Sequence, residues 1–179
     1  MGKGPLRGRI LGTMTPEGSR DVRLLAVDLG LRCGWAAFAS DGRLLAYGSR
    51  HYGSRATLRK AIPQILDGYP ALELIVVEGG GDLFVPWEKE AARRSIALKQ
   101  VSGEEWRKTI LLPWQRRTGK DAKAAADGVA REVIERSGAK RPTSLRHDAA
   151  EAILVGAWAS TSLRSPTSGP RREDTDGRR

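Results

Sequence analysis

The chain has 179 residues, 40% of them hydrophobic and 29% charged, which suits one domain with a real core and short tails. Its net charge of +10 points first to a polyanionic partner. A single cysteine, Cys33, excludes an internal disulfide and a cysteine-rich zinc site, and no apolar run is long enough to span a bilayer. Cys33 reads as a packing residue, and the basic N-terminus lacks the apolar stretch of a secretory signal, so the expected location is cytoplasmic.

Residues 1–21, rich in Gly, Pro, Arg and Thr without period, read as a flexible basic tail, and residues 164–179 read the same way. The domain is expected between them, over 22–163. Arg23–Leu29 is a short apolar run and a candidate buried strand. Gly34–Ala39 is a second strand, Asp41-Gly42 a hairpin turn, and Arg43–Ser49 a third strand. Arg55–Leu66 has helical spacing that Gly68 ends, with Pro63 inside it. Leu72–Glu78 is another buried strand, Trp87–Ser95 a short charged helix and Ile96–Val101 a fifth strand. Ser102-Gly-Glu-Glu105 is a capping box that opens a helix to about Leu111. Thr118-Gly-Lys-Asp121 opens a helix that Gly138 closes, and Ser144 caps a last helix from Leu145 to about Thr161. A three-strand meander followed by alternating helices and strands predicts an α/β fold: a mixed five-stranded sheet flanked by helices in a single domain, in the order of a ribonuclease H-like domain.

Two strand ends carry an acid between apolar residues and glycine: Asp28 in VDLG and Glu78 in VVEGG. Sites in α/β sheets form outside the carboxyl ends of strands, so parallel neighbours would bring both acids to one edge. His147-Asp148-Ala-Ala-Glu151 adds two acids three apart, on one helical face. An acid at a strand end is often only a capping or turn residue, and an acid pair on a helix is usually solvated; the joint pattern is far more specific than either. Four carboxylates suit magnesium or manganese, and two such ions can drive phosphodiester hydrolysis. Residues 93–123 hold nine basic side chains against Glu104, Glu105 and Asp121, so a basic stretch accompanies the acids.

Lys120 and Lys123 open a helix whose N-terminal amides favour anions, and one of them is expected at a phosphate. Arg116 and Arg117 precede that helix and are expected to track a nucleic-acid backbone, with Arg93, Arg94, Arg107 and Lys108 as further candidates. Residues 107 and 108 point in different directions, so at most one of the two should face DNA. Phe84 and Trp87, in the glycine-rich segment after Glu78, are candidates for wedging into or stacking on DNA, against simple packing. Trp35, Trp106, Trp114 and Trp158 read as core or interface.

VDLG, VVEGG and HDAAEA, in this order and at these separations, resemble the three acidic motifs of RuvC-type Holliday junction resolvases over residues 23–160. VSGEEWRK at 101–108 and GKDAK at 119–123 are similar to the middle section of the phage-type and plant-chloroplast relatives. The resemblance implies a homodimer that nicks two strands of a four-way DNA junction symmetrically, using about two magnesium ions held by Asp28, Glu78, Asp148 and Glu151. It also implies 5′-phosphate and 3′-hydroxyl ends, and no nucleotide cofactor. There are departures. The final acid is Glu151 where the bacterial enzyme has aspartate, His147 competes with Asp148 for the third ligand position, and Gly79–Trp87 is shorter and richer in glycine. A sugar kinase or actin-like ATPase also places such an acid at a strand end, but needs two such domains. A non-catalytic nucleic-acid-binding relative and a ribonuclease H-like nuclease with another substrate are the remaining alternatives.

Overall fold

In the computed structural model, residues 16–162 are described. They form one α/β domain around an open sheet of five strands in the order β3-β2-β1-β4-β5. The strands are β1 (Val22–Asp28), β2 (Arg32–Ala39), β3 (Leu44–His51), β4 (Leu74–Glu78) and β5 (Ala97–Val101). β1, β2 and β3 pair antiparallel, and β4 and β5 run parallel to β1, so the sheet is mixed. Among the described residues the helices are α1 (Pro16–Arg20), α2 (Arg55–Asp67), α3 (Val85–Arg93), α4 (Gly103–Ile110), α5 (Gly119–Arg136) and α6 (His147–Ser162).

Side chains alternate across a strand, and here the two faces feed two cores. Leu24, Ala26, Ala36, Phe38 and Val76 pack against α4, α5 and α6. Leu25, Val27, Cys33, Trp35, Ile75 and Val77 pack with Leu58, Ile62 and Leu66 of α2 and with Trp87 and Ala91 of α3. Both faces are apolar, which is why β1 and β4 read as continuous apolar runs rather than alternating ones. α6 lies close on β2 because two glycines allow it. A Cβ on Gly34 would overlap the Asp148 carbonyl, and one on Gly156 would enter the Phe38 ring.

Several boundaries differ from the sequence expectations, by two residues at the starts of β2 (Arg32, not Gly34) and β4 (Leu74, not Leu72) and more consequentially at three places. Pro16–Arg20 are helical and Ser19 is buried, so the folded domain starts before position 22; residues 1–15 of the first expected tail, all of the second (164–179) and residue 163 lie outside the described residues. α3 begins at Val85, because Pro86 sits in its first turn where a missing N–H costs nothing. α6 begins at His147, not Leu145, and the Asp148 side chain itself accepts from the Ala149 N–H at 3.1 Å. No described helix is long and apolar enough to cross a membrane.

Candidate active site

Asp28 and Glu78 are the last residues of the adjacent parallel strands β1 and β4, and they are partners in register. Both continue the stripe of residues 24 and 26, or 74 and 76, that faces α6. The expectation that two strand ends would deliver their acids to one edge is therefore met. The face they share is the one on which α4 and α6 arrive.

α6 brings Asp148 and Glu151, three residues apart in its first turns. Asp148 Oδ2 accepts from the Ser49 hydroxyl at 2.5 Å, which ties the helix start to β3. Glu151 Oε2 lies 3.3 Å from His147 Nε2. α4 opens beside Glu78, with the Ser102 side chain accepting from the Glu105 N–H as the capping signature predicts. A Cβ at Gly103 would meet the Glu78 carboxylate and the Arg107 guanidinium, so a larger residue there would push those two side-chain ends aside. Trp106, fully buried, donates its indole N–H to Glu78 Oε2 at 2.7 Å. Arg107 Nη2 bridges the site, bonding Glu151 Oε1 and standing 3.4 Å from Glu78 Oε1. Its guanidinium lies 4.8 Å from the centroid of the Trp106 ring.

The charges do not balance. Arg107 bonds Glu78 and Glu151, while the half-buried Asp28 feels the charges of Glu151, Glu78 and Asp148 together and carries the cost. Burial and then the charges of Glu151, Glu78 and Asp148 raise its pKa from 3.8 to about 7, against a weaker lowering by Arg107. Glu78 is also pushed above the usual carboxylate range, by burial first, partly offset by the Trp106 hydrogen bond. Cys33 is buried, and burial pushes its thiol up to about 12, in keeping with a packing role.

The donor set suits a hard divalent cation: only carboxylate oxygens, with an imidazole at the rim. Surplus negative charge at a half-buried position is what such an ion would relieve. As the side chains stand, however, no three His, Cys, Asp or Glu among the described residues are gathered closely enough to hold a metal ion. The guanidinium of Arg107 stands between Glu78 and Glu151, where it meets the same charge demand.

The proposed DNA contacts divide sharply. Trp87 is 1% exposed and belongs to the core under α3, so it neither wedges nor stacks. Phe84 is half-buried against the same core at the start of α3. Arg94 is spent on Glu90 at 2.7 Å, Asp67 at 2.7 Å and the Pro63 carbonyl at 3.0 Å, which makes it a staple between α2 and α3 rather than a DNA ligand. Arg93 pairs with Glu90 at 2.5 Å. Arg107 turns into the carboxylates, while Lys108 points outward to Glu104 at 2.6 Å. Arg116, Arg117, Lys120 and Lys123 are exposed and form no ion pair among the described residues. Lys120 and Lys123 extend, one and two turns back, the α5 stripe that buries Ala126, Ala130 and Val133. α5 ends where Ser137 accepts from the Leu44 N–H at the start of β3. Its 18 residues, about 27 Å, carry its basic first turns back toward the edge that holds Asp28 and Glu78.

The roles of Arg107, Ser49 and Trp106 are not legible in the sequence. Arg107 was placed among DNA ligands because its helix phase against Glu78 is invisible in sequence; the adjacent Gly103 is the faint signal. Ser49 and Asp148 are 99 positions apart and carry no local mark. Trp106 reads in the sequence as core or interface, and its indole N–H bond to Glu78 has no local mark. A cleft beside Asp148 is lined by Arg32, Ser144, Leu145, Arg146 and His147, and its two arginines are exposed and form no ion pair among the described residues.

No protein-family profile and no curated protein matches this sequence. Sixteen chains of solved structures show some likeness. One is a chain in the cryoEM structure of the simian T-cell lymphotropic virus intasome in complex with PP2A regulatory subunit B56 gamma, 11% identical with a TM-score of 0.30. That match spans 89% of this chain and 62%, less than two thirds, of the other; at that level it bears on neither fold family nor function.

Proposed function

We propose that this chain is a ribonuclease H-like, divalent-metal-dependent DNA endonuclease that resolves four-way junctions. The observation that carries the reading is the in-register pair Asp28–Glu78, joined on the α6 face by Glu151 and Asp148 around a single arginine. Acids of this density, half out of water and undercompensated, are costly to stability and are kept where a cation is to be held. The likeness of VDLG, VVEGG and HDAAEA to the RuvC-type motifs supports the narrower step from nuclease to junction resolvase.

Asp28, Glu78, Glu151 and Asp148 would hold magnesium or manganese, up to two ions. A bound ion would supply Lewis acidity at the phosphate and acidify a water. The chain's own residues supply the rest. Trp106 fixes the Glu78 carboxylate by its N–H, and Ser49 fixes Asp148. Without a bound ion Asp28 keeps its proton up to about pH 7, so a cation held there would displace that proton. His147 stands at the rim, with its Nε2 3.3 Å from Glu151 Oε2. Lys120 and Lys123, with Arg116 and Arg117, bind the phosphates on one side. A homodimer would present two such sites to the two strands of a junction.

Incubation with a four-way junction and with linear duplex of the same sequence, in magnesium or in EDTA, tests this. The expected result is cleavage of the junction alone, lost in EDTA and in Asp28→Asn. Equal cutting of both substrates removes the resolvase claim and leaves a nuclease. No cutting with any divalent metal removes both.

A further inference from the structure

The chain has five tryptophans, and four of them, Trp35, Trp87, Trp106 and Trp158, are at most 5% exposed. Trp114 is 60% exposed, and its neighbour Leu112 is 48% exposed. Leaving an indole in water forgoes a large burial gain, which is a common mark of a binding surface. The turn that carries it is rigid: Pro113 fixes one backbone angle, the Leu112 N–H donates to Gln115 Oε1 at 2.8 Å, and the Gln115 N–H donates to the Leu112 carbonyl at 2.9 Å. The backbone that carries the exposed indole is thus set in advance, which lowers the ordering cost to a ligand.

Its surroundings are cationic. Arg116 and Arg117 follow on the same turn, and Lys120 and Lys123 lie on the first turns of α5, against which the turn packs. Two acids lie nearby. Glu104 feels Arg116 but is paired with Lys108, and Asp121 is engaged by the Thr118 hydroxyl at 2.8 Å. A flat aromatic face among unpaired cations fits a polyanion that carries stackable rings.

We propose that Trp114 is a stacking platform for an unpaired base, with the strand's phosphates lying on Arg116, Arg117, Lys120 and Lys123. The choice of a nucleic-acid strand rests on the nuclease reading. α4, eight residues and about 12 Å long, links the carboxylates to this turn. A fully paired duplex hides its base faces from such a platform, and a branched or single-stranded region presents them.

The four other tryptophans are buried, so quenching of the fluorescence by a ligand reports on Trp114. The full chain is titrated in EDTA, where no metal-dependent cutting occurs, with a dT oligonucleotide, a duplex and a four-way junction. The expected result is quenching by the oligonucleotide and the junction but not by the duplex, absent in Trp114→Ala. That variant should bind the oligonucleotide about tenfold more weakly with an unchanged salt slope, whereas Trp114→Phe keeps most of the affinity. Lys120→Ala should instead lower the salt slope by about one. Equal oligonucleotide binding by wild type and Trp114→Ala overturns the proposal, as does quenching by none of the three probes. Light scattering that shows Trp114→Ala turning a dimer into a monomer, with DNA affinity intact, overturns it in favour of a contact between copies. The nuclease reading is judged apart, by magnesium-dependent cutting: stacking without cutting spares this proposal, and cutting with unaltered Trp114→Ala binding spares only the nuclease.

Discussion

Arg94 and Arg107 each hold two carboxylates that come from separate elements, and the two settings differ in charge balance. Arg94 joins Glu90 of α3 to Asp67 of α2, and Arg93 adds a second cation on Glu90. Two acids meet two arginines, and Glu90 is held down to about 2, chiefly by its hydrogen bond from Arg93. Arg107 joins Glu78 of β4 to Glu151 of α6, but Asp28 and Asp148 crowd the same place. Four acids meet one arginine, and Asp28 is pushed up to about 7. The same bridging geometry makes a staple where the charges cancel and a vacancy for positive charge where they do not.

The strongest way to break this contrast is Asp28→Asn. Activity on a junction should fall by about a thousandfold or more, read as initial rates in magnesium. Stability should move the other way. Between pH 3.8 and about 7 the folded chain keeps a proton on Asp28 that the unfolded chain has released, so this group's contribution falls as pH rises and the full penalty stands above pH 7. Three pKa units correspond to about 4 kcal/mol, and solvent around a partly exposed carboxyl reduces that to about 2. Denaturant melts in EDTA at pH 8 should show the variant more stable by about 2 kcal/mol, with the difference gone at pH 4.

Gly34→Ala attacks the placement of α6. Its methyl would overlap the Asp148 backbone, which cannot rotate away, so a loss of about 3 kcal/mol is expected together with weaker magnesium binding by calorimetry. Arg94→Met should cost about 1 kcal/mol, because it removes the link between α2 and α3 while Arg93 still pairs with Glu90, and should leave magnesium binding unchanged. Arg107→Met should cost about 1 kcal/mol in EDTA and almost nothing in saturating magnesium, since an ion supplies the missing charge. Equal losses with and without magnesium would show that Arg107 is a second staple. Arg93→Ala, at an exposed ion pair, should shift the melting midpoint by less than about 0.5 kcal/mol.

Much of this was legible in the sequence. The apolar runs ending in Asp28 and Glu78, the Asp41-Gly42 turn, and the caps at Ser102 and Thr118 are local signals, and each element formed where its signal stood. What escaped depends on rotation and distance. Trp87 was offered to DNA because a glycine-rich approach looked like a loop, whereas Pro86 in a helical first turn rolls that indole into the core. Arg94 has Glu90 four residues before it on one helix, a spacing that already favoured a pair over a free DNA ligand. Arg107 and Lys108 were expected to diverge and do, but nothing local revealed that Arg107 would find two acids 29 and 44 positions away.

The pairing of Asp28 with Glu78 across a parallel ladder also governs which changes in length the chain can survive. Deleting one residue within 22–28 or 74–78 would turn that strand's acid to the opposite face, into the apolar layer under α2 and α3. Adding residues at the 40–43 turn shifts neither strand. Variants of this chain can therefore grow at their hairpin tip, while the two short segments that end in acids can accept substitution only, never a change of count.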